Sequence, residues 1–167
     1  MHINCVFIQD FQCVMMSSSA LTNLDILRYA DRVKLANFRG VYMRDTLPRK
    51  CTPHNECGVV NLNTSQQPGS HWVCYFKDDD RLQQHQRRIY FDSYGQITPI
   101  EIQKYLKTKA EFEENSSVIQ RNTDIVQGTN TSECGHLCLI VLTALSKGVS
   151  FQQVINTLRE RHNNGYS

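Results

Sequence analysis

Three stretches of the chain place apolar residues at the three- and four-residue spacing of an amphipathic helix. The first covers about residues 22–35, the second begins near Cys134 and ends at Gly148, and the third follows the capping residue Ser150. A shorter helix is predicted over residues 99–107, where a proline occupies the first turn. The sequence therefore predicts helices at both ends of the chain and one between them.

Short apolar runs bounded by turn residues predict strands in the middle of the chain. Strands are predicted over residues 58–62, 71–77, 88–92 and 118–121, extended or looped chain over residues 38–47, and a loop over residues 48–57. Strands grouped between helices are typical of an α+β fold rather than a regular alternation of strands and helices. We therefore expect a central mixed or antiparallel sheet that is flanked by helices.

The chain has 167 residues, which suits one domain with a full hydrophobic core. We assign residues 16–167 to this domain and residues 1–15 to an N-terminal extension, because the extension lacks a comparable pattern. Hydrophobic residues make up 40% of the chain and charged residues 20%, which excludes collagen-like, coiled-coil and wholly disordered proteins. The net charge of +2 is too small to indicate a nucleic-acid-binding protein by itself.

Seven cysteines are the unusual feature of the composition. The N-terminal apolar stretch is interrupted by Gln9, Asp10 and Gln12 and has no preceding Lys or Arg, so it matches neither a signal peptide nor a membrane-spanning helix. We therefore expect thiols rather than disulfides, in a reducing compartment of the cell such as the nucleus or the cytoplasm. At least one cysteine is then expected to be a reactive thiol, a metal ligand or a small side chain in the core.

Cys134 differs from the other cysteines because it begins a strongly apolar helix. The unpaired N–H groups and the positive dipole end of a helix N-terminus favour a thiolate over a thiol. Gly135 follows, and its missing side chain lets a substrate backbone approach the sulfur. Cys138, one turn later, and Cys74, within a predicted strand, are expected to pack in the core. Cys134 is therefore the candidate nucleophile, and a merely buried cysteine at a helix start is the alternative.

A nucleophilic cysteine needs a base and an acceptor that orients the base. His71 begins one predicted strand and Asp92 ends the next, so two adjacent strands could bring them together at one edge of the sheet. Gln127 lies seven residues before Cys134, in a glycine-containing loop that could fold over the helix start and supply an amide donor for an oxyanion. Each residue alone has an ordinary alternative: His71 could lie at a solvent-exposed strand end, Asp92 could form a turn, and Gln127 could lie on the surface.

Three segments occur in the order Pro68–Val73 (PGSHWV), Tyr90–Gly95 (YFDSYG) and Val126–Gly135 (VQGTNTSECG). Together they resemble the adenovirus-maturation-protease-like (adenain-like) cysteine peptidases, which are related to the Ulp-type SUMO proteases. The seven-residue separation of Gln127 and Cys134 is more similar to adenain than to the Ulp type. The resemblance is closest over residues 58–146, and it implies the adenain/Ulp-like fold with the nucleophile at a helix N-terminus.

By this resemblance Cys134 is the nucleophile, His71 is the general base and later the general acid, and Asp92 orients the imidazole. Gln127 and the backbone N–H of Cys134 would form the oxyanion hole. The implied reaction is hydrolysis of internal peptide bonds through a thioacyl intermediate, with no cofactor required.

The resemblance also implies a class of substrate. Members of this family typically cut after glycine or other small residues, because the site is a narrow channel. Trp72 and Gly135 are expected to line this channel, and a place in the hydrophobic core is the alternative for the indole. The expected substrates are structural precursor proteins of a virus or a virus-derived mobile element, and the enzyme is expected to be a monomer that is also present in the virion.

Adenain is also assisted by DNA and by a disulfide-linked peptide. Residues 28–50 hold seven basic and two acidic side chains, a local charge of +5. A solvated charged surface is the commoner explanation of such a stretch, and activation by DNA stays open as the alternative. The peptide is not expected, because Ser116 stands near the position where the family has the linking cysteine. A membrane partner is not expected, because no stretch approaches the length of a membrane-spanning helix.

Three other functions stay open. Cys51, His54 and Cys57, with Cys74 as a fourth ligand, could bind zinc, although the spacing of the cysteines is not that of a zinc knuckle. A peptidase of the same fold could instead cleave ubiquitin-like or SUMO-like proteins, whose tails end in Gly-Gly, from the proteins to which they are attached. An enzyme with the same Cys-His-Asp triad could also transfer acetyl groups. In the catalytic site itself we expect no metal.

Overall fold

The computed structural model describes residues 19–48, 54–80, 85–114 and 118–165. The predicted extension, residues 1–15, therefore lies outside the described residues. In chain order the elements are α1 (Asn23–Arg32), β1 (Phe38–Met43), β2 (Asn55–Asn61), β3 (Trp72–Asp80), β4 (His85–Phe91), α2 (Ile100–Leu106), α3 (Lys109–Glu113), β5 (Gln120–Arg121), α4 (Cys134–Ser146) and α5 (Phe151–Asn163).

The described strands form one mixed sheet in the order β1-β2-β3-β4-β5. Strands β2, β3 and β4 are antiparallel neighbours, whereas β1 pairs with β2 and β5 pairs with β4 in parallel. Helices pack on the sheet from both ends of the chain. The predicted α+β architecture, a mixed sheet flanked by helices, is therefore confirmed.

Side chains of the central strands alternate between two apolar layers, as the two-residue period of a strand requires. In β3, Cys74 and Phe76 face the layer that contains α1, α4 and α5, whereas Val73 and Tyr75 face the layer that contains α2. Each fully buried apolar side chain stabilises the fold by about 1.5–3 kcal/mol. The sheet is covered on both faces, so the ends of its strands are the places left for chemistry.

Helix α4 is apolar on all sides and buried from Gly135 to Leu145. It contacts β2 and β3 on the sheet and lies against α1 and α5. A helix of this composition is stable only inside a protein. Cys138 is fully buried on α4 and Cys74 faces it from β3, as predicted for packing cysteines. The surrounding layer therefore fixes the position of the first turn of α4.

The helices of the described chain are short. The two longest, α4 and α5, have 13 residues each, whereas a membrane-spanning helix needs about 20. None of the described helices combines the length and the apolar character that crossing a membrane requires.

Buried polar side chains explain where the predicted element boundaries are wrong. Strand β2 begins at Asn55, so the loop predicted over residues 48–57 is wrong at its C-terminal end. Glu56 looks like a loop residue, but it is 2% exposed and accepts a hydrogen bond from the Tyr105 hydroxyl at 2.9 Å. Because Tyr105 lies far from Glu56 along the chain, the polar residues next to Glu56 in the sequence do not reveal that its side chain is buried and hydrogen-bonded.

A tight turn follows β4 and ends at Gly95, whose backbone N–H donates to the carbonyl of Asp92 at 2.8 Å. Gly95 has a φ of +67°, and a Cβ at this position would lie 2.5 Å from the carbonyl oxygen of Thr123. Both the backbone conformation and the available space exclude a side chain, so the turn requires glycine.

We predict that Gly95→Ala lowers the free energy of unfolding by about 3 kcal/mol, because alanine meets both a positive φ and the Thr123 backbone. Gly148→Ala is the matched control, since Gly148 also has a positive φ of +83° but a Cβ there has no atom within 4 Å. Its expected loss is about 1 kcal/mol. Urea unfolding measures both values, and equal losses would show that the turn after β4 tolerates a side chain.

Candidate active site

The start of β3 and the end of β4 lie side by side because the two strands are antiparallel neighbours. His71 directly precedes β3, and Asp92 directly follows β4. Their side chains meet at this edge of the sheet, with imidazole Nε2 2.8 Å from carboxylate Oδ1. Asp92 is fully buried, and the His71 side chain is 15% exposed. The strand ends thus bring together the histidine and the acid that the sequence singles out.

Hydrogen-bond donors surround the carboxylate of Asp92. Oδ1 also accepts from the backbone N–H of Tyr94 at 2.9 Å, and Oδ2 accepts from the Tyr90 hydroxyl at 3.5 Å. A buried carboxylate is stable only when such partners replace the water that it loses. The carboxylate is therefore held in one place, and it holds the imidazole of His71 in turn.

The side chain of Asn122 fixes the backbone of Asp92. Its Oδ1 accepts from the Asp92 N–H at 3.1 Å, and its Nδ2 donates to the Asp92 carbonyl at 2.6 Å. Asn122 directly follows β5, so its side chain continues the pairing of β5 with β4 beyond the last backbone pair. Sequence reasoning missed this residue, because an asparagine after a two-residue strand has the appearance of an ordinary turn residue.

Cys134 is the first residue of α4, and it lines a cavity of about 580 Å³ together with His71, Trp72 and Gln127. Burial raises the pKa of its thiol. A hydrogen bond with His71 and backbone donors at Trp72 and Gly135 have the opposite and larger combined effect, so the pKa lies below its ordinary value. These contacts therefore favour the thiolate, which is the nucleophilic form of a cysteine.

The contacts of the His71 imidazole favour its positively charged form. Burial lowers its pKa, whereas hydrogen bonds with the carboxylate of Asp92 and the sulfur of Cys134 raise it, to about 9. Since Nε2 faces Asp92, the nitrogen that reaches the sulfur is Nδ1. The ring of Tyr94 lies beside the imidazole, with the two centroids 5.0 Å apart. The two shifts together favour an imidazolium–thiolate pair of His71 and Cys134.

Gln127 is buried in the loop before α4 and lines the same cavity as Cys134. Its Oε1 accepts from the hydroxyl of Ser93 at 2.6 Å, and its Nε2 donates to the carbonyl of Thr131 at 2.7 Å. An amide nitrogen carries two N–H donors, so one remains for a ligand in the cavity. The loop thus brings an amide donor to the start of the helix.

Trp72 and Leu21 line one side of the cavity, and Gly135 is buried against both of them rather than lining it. The indole N–H donates to the carbonyl of Leu21 at 2.9 Å, and a Cβ added at Gly135 would lie 3.2 Å from both Trp72 Cδ1 and Leu21 Cβ. The indole also packs against the core layer of α4. Trp72 therefore both lines the cavity and belongs to the core. Leu21, which sequence reasoning missed, completes this side from the segment before α1.

The described part of the chain offers no support for the zinc hypothesis. Cys51 lies outside the described residues. Cys57 is buried, its thiol donates to the Ala36 carbonyl at 3.6 Å, and burial raises its pKa to about 12. His54 lies 3.8 Å from the carboxylate of Asp79. Among the described residues, no group of three or more His, Cys, Asp or Glu side chains could hold a metal ion.

The described part of the basic segment, residues 28–48, contributes to α1 and β1. Its ion pairs are Arg28–Asp25, Lys34–Asp31, Arg39–Glu56 and Arg44–Glu101. These carboxylates offset much of the local charge. The Arg28 and Lys34 pairs are exposed, as on a solvated charged surface, whereas Arg39 pairs with the buried Glu56. DNA binding through residues 28–50 stays a prediction.

Two crystal structures of the African swine fever virus (ASFV) pS273R protease, one of them with selenomethionine, are similar to this chain. Each superposes with a TM-score of 0.56 at 17% sequence identity, over 87% of this chain and 67% of the protease chain. The fold is that of the Ulp-like cysteine peptidases. The predicted fold is therefore confirmed, with Cys134 at a helix N-terminus. No protein-family model and no curated protein sequence matches the chain.

We predict that Cys134 reacts as a thiolate at pH values well below the pKa of an ordinary thiol. His71→Ala removes the hydrogen bond and the charge that counteract the effect of burial on the pKa of Cys134. The pKa of the thiol therefore rises, and alkylation by iodoacetamide at neutral pH slows by about 10-fold or more. Mass spectrometry of the Cys134 peptide across the acidic and neutral range measures the profile. His162→Ala, on α5, is the control, and an unchanged profile in His71→Ala contradicts the ion pair.

Proposed function

We propose that this protein is a cysteine endopeptidase. The observation that carries the proposal is the line of contacts from the buried Asp92 through His71 to Cys134 at the start of α4. A thiolate beside an imidazolium, with an amide donor in the same cavity, suits attack on a carbonyl carbon. The likeness in fold to a viral protease supports this class of reaction.

In the proposed reaction the sulfur of Cys134 attacks the carbonyl carbon of the peptide bond, and an electron pair moves onto the oxygen. When the tetrahedral intermediate collapses, the C–N bond breaks and the Nδ1 proton of His71 passes to the leaving amine, so that a thioester remains on Cys134. The neutral imidazole then takes a proton from water, whose oxygen attacks the thioester carbonyl. The C–S bond breaks, the acid product leaves and the ion pair is restored.

Asp92 and Gln127 assist these steps in different ways. Asp92 keeps Nδ1 of His71 directed at the sulfur and stabilises the imidazolium. The second N–H of Gln127 and the backbone N–H of Cys134 donate to the substrate oxygen as it becomes negative. Each such donor contributes roughly 3–4 kcal/mol to transition-state stabilisation.

The proposed substrates are viral structural precursor proteins that are cut after glycine or another small residue. The family resemblance carries the preference for a small residue, and Trp72 and Leu21, which line the cavity together with Cys134, are the side chains proposed to border that residue. Among the described residues that line the cavity, none is Asp, Glu, Lys or Arg, which suits an uncharged peptide. A ubiquitin-like protein with a Gly-Gly tail would use the same geometry and is the second candidate substrate.

We predict that Cys134→Ala abolishes hydrolysis and that His71→Ala lowers kcat/KM by about 1,000-fold or more, because the first removes the nucleophile and the second removes the base. Asp92→Asn should lower kcat by about 100-fold while the protein stays folded, since the amide no longer stabilises the imidazolium. Mass spectrometry of fragments from a peptide library that varies around a central glycine measures the activity.

Two matched variants control for loss of a buried thiol or of an imidazole. Cys138→Ala, one turn further along α4, and His162→Ala should both keep the wild-type activity, because neither residue lines the cavity. Full activity in Cys134→Ala would contradict the function. Cleavage of ubiquitin-like fusions with no cleavage of library peptides would assign the second candidate substrate. Repeating the assay with and without DNA tests whether DNA activates the enzyme through residues 28–50.

A further inference from the structure

Ser93 directly follows Asp92 and is fully buried. Its hydroxyl donates to Oε1 of Gln127 at 2.6 Å, and its backbone carbonyl accepts from the N–H of Val126 at 2.9 Å. One residue therefore holds both the side chain of Gln127 and the backbone just before it. Ser93 takes no part in the bond-making steps proposed above.

The two hydrogen-bond partners of the Gln127 amide determine which way it faces. The backbone carbonyl of Thr131 can only accept, so the end of the amide that meets it must be the nitrogen, which donates at 2.7 Å. The oxygen then faces Ser93, whose hydroxyl supplies the donor that a buried oxygen needs. Within the described chain these partners leave one N–H of Gln127 unused.

We propose that Ser93 is a positioning residue for the oxyanion donor: its hydroxyl holds Gln127 so that the unused N–H meets the oxygen that becomes negative when Cys134 attacks. This inference rests on the proposed acyl chemistry at Cys134. Without the hydroxyl, Oε1 is buried with no donor, which is unfavourable, and the amide rotates toward other partners. Its N–H then no longer meets the developing charge, while the ion pair of His71 and Cys134 is untouched.

Two small reagents separate the position of Gln127 from the reactivity of the thiolate. Iodoacetamide alkylates the Cys134 sulfur by displacing iodide, and no oxyanion forms. With p-nitrophenyl acetate, the sulfur forms a bond to the carbonyl carbon, negative charge develops on the carbonyl oxygen, and p-nitrophenolate leaves as the C–O bond breaks. Only the second reaction uses the amide donor.

We expect Ser93→Ala to slow acylation of Cys134 by about 10-fold, a part of the effect of losing a whole oxyanion donor, and to leave its alkylation rate unchanged. Ser146→Ala removes a hydroxyl at the far end of α4 and should change neither rate. In a Gln127→Ala background, Ser93→Ala should cause no further loss of acylation, because Ser93 acts only through Gln127.

Ser93→Cys extends the test if the alanine variant does not fold, since it keeps the shape of the side chain and a weak donor; its expected acylation rate is intermediate. Equal losses in the two reactions would overturn the proposal, because Ser93 would then support the thiolate or the fold. Unchanged acylation, or losses that multiply with Gln127→Ala, would overturn it as well. Neither reagent is a peptide. If the protein failed to hydrolyse peptides, the proposed function would be wrong, but the two reaction rates would still test the role of Ser93.

Discussion

A carboxylate can be buried only where donors replace its water, and Asp92 is fully buried at the end of β4. This requirement organises the edge of the sheet. The imidazole of His71 and the N–H of Tyr94 bind the carboxylate, and the side chain of Asn122 binds the backbone of the same residue. The imidazole can then present only Nδ1 to Cys134, which determines where the proton and the negative charge reside.

The fold builds this arrangement from elements that pack in its core. Antiparallel pairing of β3 and β4 places the start of one strand beside the end of the other, and the two apolar layers hold both strands. Helix α4 packs against the sheet, α1 and α5, and these contacts position its first turn beside the strand ends. Groups carried on such elements meet the substrate already in place, which is what charge stabilisation in a transition state requires.

The sequence reveals those site residues whose local surroundings carry a pattern. Cys134 is marked by the apolar helix that it begins, and His71 and Asp92 are marked by the strands that they start and end. Asn122 and Ser93 carry no such mark, because their roles arise from hydrogen bonds to residues 30 or more positions away along the chain. Element types follow from periodicity, whereas buried polar partners depend on the tertiary fold and could not be predicted.

Covalent catalysis by Cys134 is tested most directly by trapping the thioester. The p-nitrophenyl ester of a peptide that ends in glycine is activated for acylation, so the acyl group should accumulate during turnover and survive quenching in acid. Mass spectrometry of the digested protein should find the acyl mass on Cys134 and none on Cys134 of His71→Ala at the same time point. Turnover with unmodified Cys134, or an acyl group that appears only on another residue, would contradict the mechanism.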